Sequence, residues 1–191
     1  MLKTERMDRV RAALRAQGLT QMIVCDPKSV WYLTGVAVEP YERLLALYLP
    51  TEGDPVLFLN RLFNVPEPPC RTVWHTDTDK PVAQIAEVVD AGKPLGIDKE
   101  WPAKFLIPLM ETHPGMQVVL SSDCVDDCRA CKDAEEQALM REASRINDAV
   151  NEAAKHYIKA GMTEREVAEF IDAQYRAHGC EGPSFTTIVS F

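Results

Sequence analysis

The sequence predicts an α/β protein: a layered domain built on a mixed sheet, then two helices and the first strand of a second domain. Three observations carry this. Short apolar runs alternate with amphipathic stretches as far as about residue 122, the order that packs helices onto a sheet. From residue 133 the texture changes to two long stretches with apolar residues at steps of three and four. Residues 186–191 are β-branched and aromatic, the composition of a buried strand. A central strand needs a neighbour on each side to pair its amides, and the helical stretches before residue 186 cannot supply one. The expectation is a second domain cut off as it begins.

In chain order, Met7, Val10 and Leu14 recur at helical spacing, and Gly18 closes that helix. Arg6, Arg9, Arg11 and Arg15 surround them and read as a solvated face rather than a phosphate-binding one. Residues 22–25 make a short buried strand, broken by Asp26-Pro27. Residues 29–33 form a helical turn running into Thr34-Gly35, and the apolar runs 44–49 and 55–59 form a hairpin across Thr51-Glu52-Gly53-Asp54. Residues 72–75 are a further strand. Asp79 is placed to cap a helix with Pro81 in its first turn and Val82, Ile85 and Val89 on its inner face. A strand at 95–97, a helix at 102–111 and a strand at 117–120 complete the layer.

Beyond it, Asp133 and Glu136 have capping-box spacing, and Leu139, Ala143, Ile146, Val150, Ala153 and Tyr157 line one face of a helix ending at Gly161. Thr163 and Glu166 make a second capping box, leading Val167, Phe170, Ile171 and Gln174 to Gly179. Each stripe needs a sheet to cover. The domain boundary is expected at 130/131, giving domains 1–130 and 131–191.

Composition narrows the function classes. With 46% hydrophobic and 26% charged residues the chain is ordinary globular material. A net charge of -8 argues against a nucleic-acid or anionic-membrane binder. No apolar run approaches the ~20 residues of a membrane span, and the basic N-terminal stretch lacks a secretory core. A cytoplasmic location is expected, with the six cysteines reduced. Cys124, Cys128 and Cys131 form C-x3-C-x2-C, but no glycine makes the knuckle turn a metal site would want, and incidental thiols at a helix end are favoured.

Catalytic signals are thin on chemistry alone. His75, Asp77 and Asp79 form H-x-D-x-D after a strand. That is either a carboxylate-rich metal site or, as favoured, a polar loop whose last Asp caps the next helix. His113, His156 and His178 lack matched partners, Ser121, Ser122 and Ser184 have no histidine in a recognisable motif, and no glycine-rich phosphate loop occurs. The loop Val38-Glu39-Pro40-Tyr41-Glu42-Arg43 concentrates two carboxylates, a phenol and a guanidinium. It suits a peptide terminus, since Arg grips carboxylates bidentately and Glu accepts an ammonium. A solvated loop with a local Glu–Arg pair explains it equally well.

The order of motifs resembles a known family. Asp26-Pro27-Lys28-Ser29-Val30-Trp31-Tyr32-Leu33-Thr34-Gly35 resembles the P-x-N-x-x-Y-L-T-G stretch of prolidases and their creatinase and aminopeptidase P relatives. Glu39-Pro40-Tyr41-Glu42-Arg43 is similar to their D-P-x-E-R loop, Trp74-His75-Thr76-Asp77 to a W/Y-x-D element, and Leu95-Gly96-Ile97-Asp98 to an x-G-I-D/E strand. Arg129-Ala130-Cys131-Lys132-Asp133-Ala134-Glu135-Glu136 resembles the R-x-I-K-x-x-x-E opening of their catalytic domain. Gly161-Met162-Thr163-Glu164 and Ser184-Phe185-Thr186-Thr187-Ile188-Val189 match G-x-T-E and S-F-x-T-I-V. Cys131, Ser29 and Tyr41 depart from the usual Ile, Asn and His.

The resemblance implies a creatinase-like N-terminal domain, then the opening of a pita-bread catalytic domain. It implies a metal-dependent Xaa-Pro dipeptidase or aminopeptidase acting on proline-containing dipeptides or short peptides, as a homodimer. Two divalent metal ions (Mn, Co or Zn) are implied for the full-length protein. Their ligands fall downstream of the S-F-x-T-I-V strand, so neither catalytic nor metal residues are expected in this chain, which by itself is expected to be inactive. Phe185 and Ile188 match positions lining the pocket for the substrate's first residue. Glu39, Tyr41, Glu42 and Arg43 match a loop that in dimeric relatives reaches the partner's active site. A non-catalytic peptide- or partner-binding domain and a creatinase-like hydrolase of small amides remain as alternatives.

Overall fold

The structure, a computed structural model, describes residues 2–191. They fall into two compact units, one ending at Cys131 and one running from Lys132 to Phe191.

The first unit is built on six strands: β1 (Gln21–Val24), β2 (Ala46–Pro50), β3 (Val56–Asn60), β4 (Arg71–His75), β5 (Leu95–Ile97) and β6 (Val118–Leu120). They lie in the order β4-β3-β2-β1-β5-β6. β2 is antiparallel to both β1 and β3, whereas β3/β4, β1/β5 and β5/β6 are parallel pairs. Five strands therefore point one way and β2 alone runs against them. Their carboxyl ends, and the start of β2, share one edge of the sheet.

Both faces of the sheet are covered, and the period-two alternation of the strands shows how. Met22, Val24, Leu47, Leu49, Leu57 and Leu59 face one layer, with α1 (Thr4–Ala16), α2 (Pro27–Thr34) and α5 (Asp123–Ala130) packed on it through Met7, Leu14, Leu33 and Val125. Ile23, Ala46, Tyr48, Val56 and Phe58 face the other, under Ile85 of α3 (Pro81–Ala86) and Leu109 of α4 (Ala103–Thr112). Strands buried on two faces read as continuous apolar runs, which is why β2 and β3 stand out in the sequence.

The helix boundaries follow local chemistry. Asp26 caps α2 by accepting the Lys28 and Ser29 amides, Pro27 opens it, and Gly35 closes it in the left-handed region at φ 75°. Gly96 is required by close packing instead. A Cβ there would stand 2.5 Å from Ser121 Oγ and 3.2 Å from the Gln21 carbonyl oxygen, so only glycine lets β5 sit against its neighbours.

Three local expectations are corrected. Asp79 does not cap α3: Lys80 holds that position without a side-chain bond. The Asp79 carboxylate accepts the Thr76 amide at 2.7 Å and the Thr76 hydroxyl at 2.8 Å, closing a turn instead of a helix end. The arginines of α1 are not a solvated face. Arg11 and Arg15 donate to the Pro50, Gly53 and Thr51 carbonyls of the β2–β3 turn, and Arg9 donates to Tyr32 Oη at 2.6 Å. They tie the helix to the sheet by serving carbonyls that a tight turn leaves unpaired. Residues 186–191 form no ladder, because a strand exists only with a partner and none lies in this unit.

The second unit consists of α6 (Ala134–Tyr157), α7 (Glu164–Ala177) and the extension after them. Both helices open on complete capping boxes, Asp133 with Glu136 and Thr163 with Glu166. Tyr157 stacks on Phe170 with ring centroids 3.8 Å apart, and Val150, Ala154 and Val167 are buried between the helices. Leu139 is 66% exposed, so the amino-terminal half of the α6 stripe has no cover within this unit.

Candidate functional site

The carboxyl edge of the sheet collects the polar side chains. In open α/β sheets this is where ligand crevices form, because the loops leaving adjacent strands diverge toward helices on opposite faces. Here β1 leads to α2 and β5 to α4, on opposite faces. The loop after Gly35 then crosses the gap to enter β2.

Two hollows lie along that loop. One, of about 350 Å³, is lined by Glu42, Arg43, Asn60, His75, Asp77 and Lys104 among others. The second, of about 190 Å³, is lined by Cys25, Glu39, Tyr41, Arg43, Glu100 and Phe105 among others. Arg43 and Phe105 border both.

The residues between them form a closed hydrogen-bond circuit. β3 and β4 pair in parallel with Asn60 opposite His75, so both side chains reach the edge together. Both are buried. Asn60 Oδ1 accepts the Leu62 amide at 3.0 Å, which orients the carboxamide. Its Nδ2 then donates to Asp77 Oδ1 at 2.9 Å and faces His75 Nδ1 at 3.4 Å. A carbonyl can only accept, so the 3.0 Å contact of His75 Nε2 with the Leu44 carbonyl puts the ring proton on Nε2 and leaves Nδ1 as the acceptor. Asp77 receives Arg43 side-on, Nε to Oδ1 and Nη2 to Oδ2, both at 2.9 Å. Glu42 Oε1 stands 2.9 Å from Nη1. Leu44 follows Arg43 in the chain, so the circuit returns to its start.

Electrostatics follow these bonds. The Arg43 hydrogen bond, reinforced by Asn60, holds the Asp77 carboxyl below its ordinary value, and the same pairing raises the Arg43 guanidinium. The two Thr76 bonds lower Asp79. Across the second hollow, burial pushes the Cys25 thiol well up, and the nearby Asp98 carboxylate adds to this. Asp98 itself is buried and raised, although it accepts the Cys25, Asp26 and Glu100 amides and so clamps the end of β1 to the loop after β5.

Of the residues singled out from sequence, Glu39, Tyr41, Glu42 and Arg43 come together on the rims of these hollows. Tyr41 is 80% exposed with φ 50°, a left-handed backbone that costs roughly 1–2 kcal/mol for a residue with a Cβ. Phe185 and Ile188 belong to the other unit, where they are 76% and 81% exposed. Ile188 borders a shallow depression there with Val167, Ile171 and Val189. Asn60 escaped the sequence reading because it ends an apolar strand run. The signal was an amide-bearing residue at that strand's carboxyl end, in a chain whose next strand ends in His-x-Asp.

Among the described residues no group of three or more His, Cys, Asp or Glu is placed to hold a metal ion. In H-x-D-x-D, His75 and Asp77 both meet Asn60 Nδ2, while Asp79 turns away to Thr76. Of the cysteines, Cys124 is buried with its thiol pushed up to about 11 by burial, whereas Cys131 is exposed. The residues here do not fit a dimetal centre.

Comparison with known proteins places this fold. The family profile of the creatinase/prolidase N-terminal domain matches residues 6–131, and that of metallopeptidase family M24 matches residues 138–191. The chain belongs to the creatinase/prolidase N-terminal domain family and continues into an M24 segment. An uncharacterized peptidase of Staphylococcus epidermidis is 25% identical over 186 residues, 95% of this chain and 52% of its own. The crystal structure of dipeptidase PepE from Mycobacterium ulcerans superposes with a TM-score of 0.84 at 27% identity, covering 95% of this chain and 51% of that one. A prolidase from Thermococcus sibiricus shares the fold, with a TM-score of 0.83 at 24% identity over 97% of this chain and 53% of its own. The chain spans about half the length of these relatives.

Proposed function

We propose that this chain forms the N-terminal portion of a metal-dependent Xaa-Pro dipeptidase or a close aminopeptidase relative, which hydrolyses the peptide bond before proline. The observation that carries the reading is the succession of two family matches, creatinase/prolidase N-terminal domain then M24 metallopeptidase, in one chain. Residues 1–130 serve as the N-terminal domain and 131–191 as the opening of the catalytic domain. Two divalent metals, held by residues of the whole protein outside this chain, supply the hydrolytic chemistry when bound. The protein works in the cytoplasm as a homodimer on proline-containing dipeptides or short peptides.

Within that scheme Glu39, Tyr41, Glu42 and Arg43 contact substrate, and Phe185 and Ile188 line the pocket for its first residue. The concentration of charge on one rim and the apolar exposure of Phe185 and Ile188 support these roles. Mn²⁺-stimulated hydrolysis of a dipeptide ending in proline, assayed with the 191-residue chain and with the product of the complete reading frame, tests the proposal. Turnover by the complete product alone is the expected result. Absence of turnover in both favours a peptide-binding module, and turnover by the 191-residue chain overturns the placement of the metal ligands.

A further inference from the structure

The two polar motifs of the first unit, the loop containing Glu42-Arg43 and the H-x-D-x-D run, meet at one ion pair, Arg43 with Asp77, 34 positions apart in the chain. Asp77 takes one edge of the Arg43 guanidinium, Nε with Nη2, through two bonds of 2.9 Å. That leaves the Nη1 end, where the neighbour is Glu42, a side chain 66% exposed. Arg43 is only 26% exposed and borders both hollows. A bidentate arginine is rigid in its plane, so the group that fixes one edge decides where the other points.

We propose that Asp77, itself oriented by Asn60, is a positioning residue that aims the Nη1 end of Arg43, which pairs with Glu42 in this structure, at the hollows, where a short peptide's carboxylate displaces Glu42. The inference rests on the reading of residues 39–43 as a substrate-contacting loop and adds what holds that loop in place. Three features set this apart from an ordinary surface pair. Asp77 is held by a buried amide whose own orientation is fixed by the Leu62 N–H. His75 pins the backbone immediately after Arg43 through the Leu44 carbonyl. Lys104 Nζ donates to the Glu42 carbonyl, so the main chain on both flanks of Arg43 is tied, while the Glu42 carboxylate pairs with the Arg43 Nη1 end itself.

The test uses Asp77→Asn, Asp77→Glu and Arg43→Ala, with two readouts. In the 191-residue chain, solvent exchange of the Arg43 Nε–H and of the amides at 42–44 is followed by NMR. Asp77→Asn speeds both, and Asp77→Glu, which keeps the charge, restores most of the protection. In the product of the complete reading frame, Arg43→Ala and Asp77→Asn each raise KM for a dipeptide ending in proline roughly tenfold with kcat little changed, the signature of lost ground-state binding. Unchanged Nε–H protection in Asp77→Asn overturns the positioning role. A KM that rises in Arg43→Ala but not in Asp77→Asn also overturns it, while leaving the loop reading intact. A KM unmoved by both variants, with protection lost in Asp77→Asn, defeats the loop reading and reduces Asp77 to a structural residue.

Discussion

Asp77 shows how much one carboxylate does at the sheet edge: it accepts three hydrogen bonds, two from Arg43 and one from Asn60. Its folded pKa is lowered by those donors. A carboxyl with a lowered folded pKa contributes stability above its unfolded value, and that contribution is lost as pH falls through the folded one. The ion pair is therefore expected to persist to pH values below the ordinary aspartate range of about 3.9 and to open only beneath them. An NMR titration of the Asp77 carboxyl carbon reads this directly, and a midpoint at or above the ordinary value contradicts the pairing. The residue types at this edge were legible from the start, since Glu42, Arg43, His75 and Asp77 all stood out by chemistry. Their partnership was not. H-x-D-x-D reads as a metal site or, as favoured, a polar loop ending in a helix cap; that it anchors Arg43 instead depends on what the β3–β4 register places opposite His75.

At the scale of elements, local sequence determined where helices begin more securely than what covers them. Thr163 and Glu166 satisfy each other's main-chain donors, with Glu166 Oε2 accepting the Thr163 amide at 2.8 Å. Thr163→Ala removes the hydroxyl that accepts the Glu166 amide, and is expected to cost about 1 kcal/mol with faster amide exchange confined to the first turn of α7. Urea titration and residue-resolved exchange measure the two parts. An undiminished stability with unchanged exchange would show that packing against α6, through the Tyr157–Phe170 stack, holds this helix start by itself. The α1 arginines teach the converse. Their helical spacing is plain in the sequence, yet their task of serving the β2–β3 turn follows from where that turn lands in three dimensions.

For the whole molecule, the two units differ in how they bury their apolar residues. The first has a core on each face of its sheet. Residues 1–131 produced alone are expected to unfold in one cooperative transition, seen at the same midpoint by far-ultraviolet circular dichroism and by tryptophan fluorescence. Separate midpoints would show that the two cores are not one folding unit. Residues 132–191 offer only an interhelical seam, and Leu139, Phe185, Ile188 and Phe191 remain exposed within that unit. Such large apolar side chains each forgo roughly 1.5–3 kcal/mol of burial, so this segment alone is expected to be loosely held.

The sequence by itself determined the alternation of strands and helices, both capping boxes and the family, because periodicity, cap chemistry and motif order are written in near neighbours. The tertiary structure alone decided that β2 runs against five parallel strands, that Gly96 must lack a side chain beside Ser121, and that Arg43 answers to Asp77. Each of these depends on which distant segments the sheet brings within hydrogen-bonding or van der Waals reach, and that distance is a property of the fold.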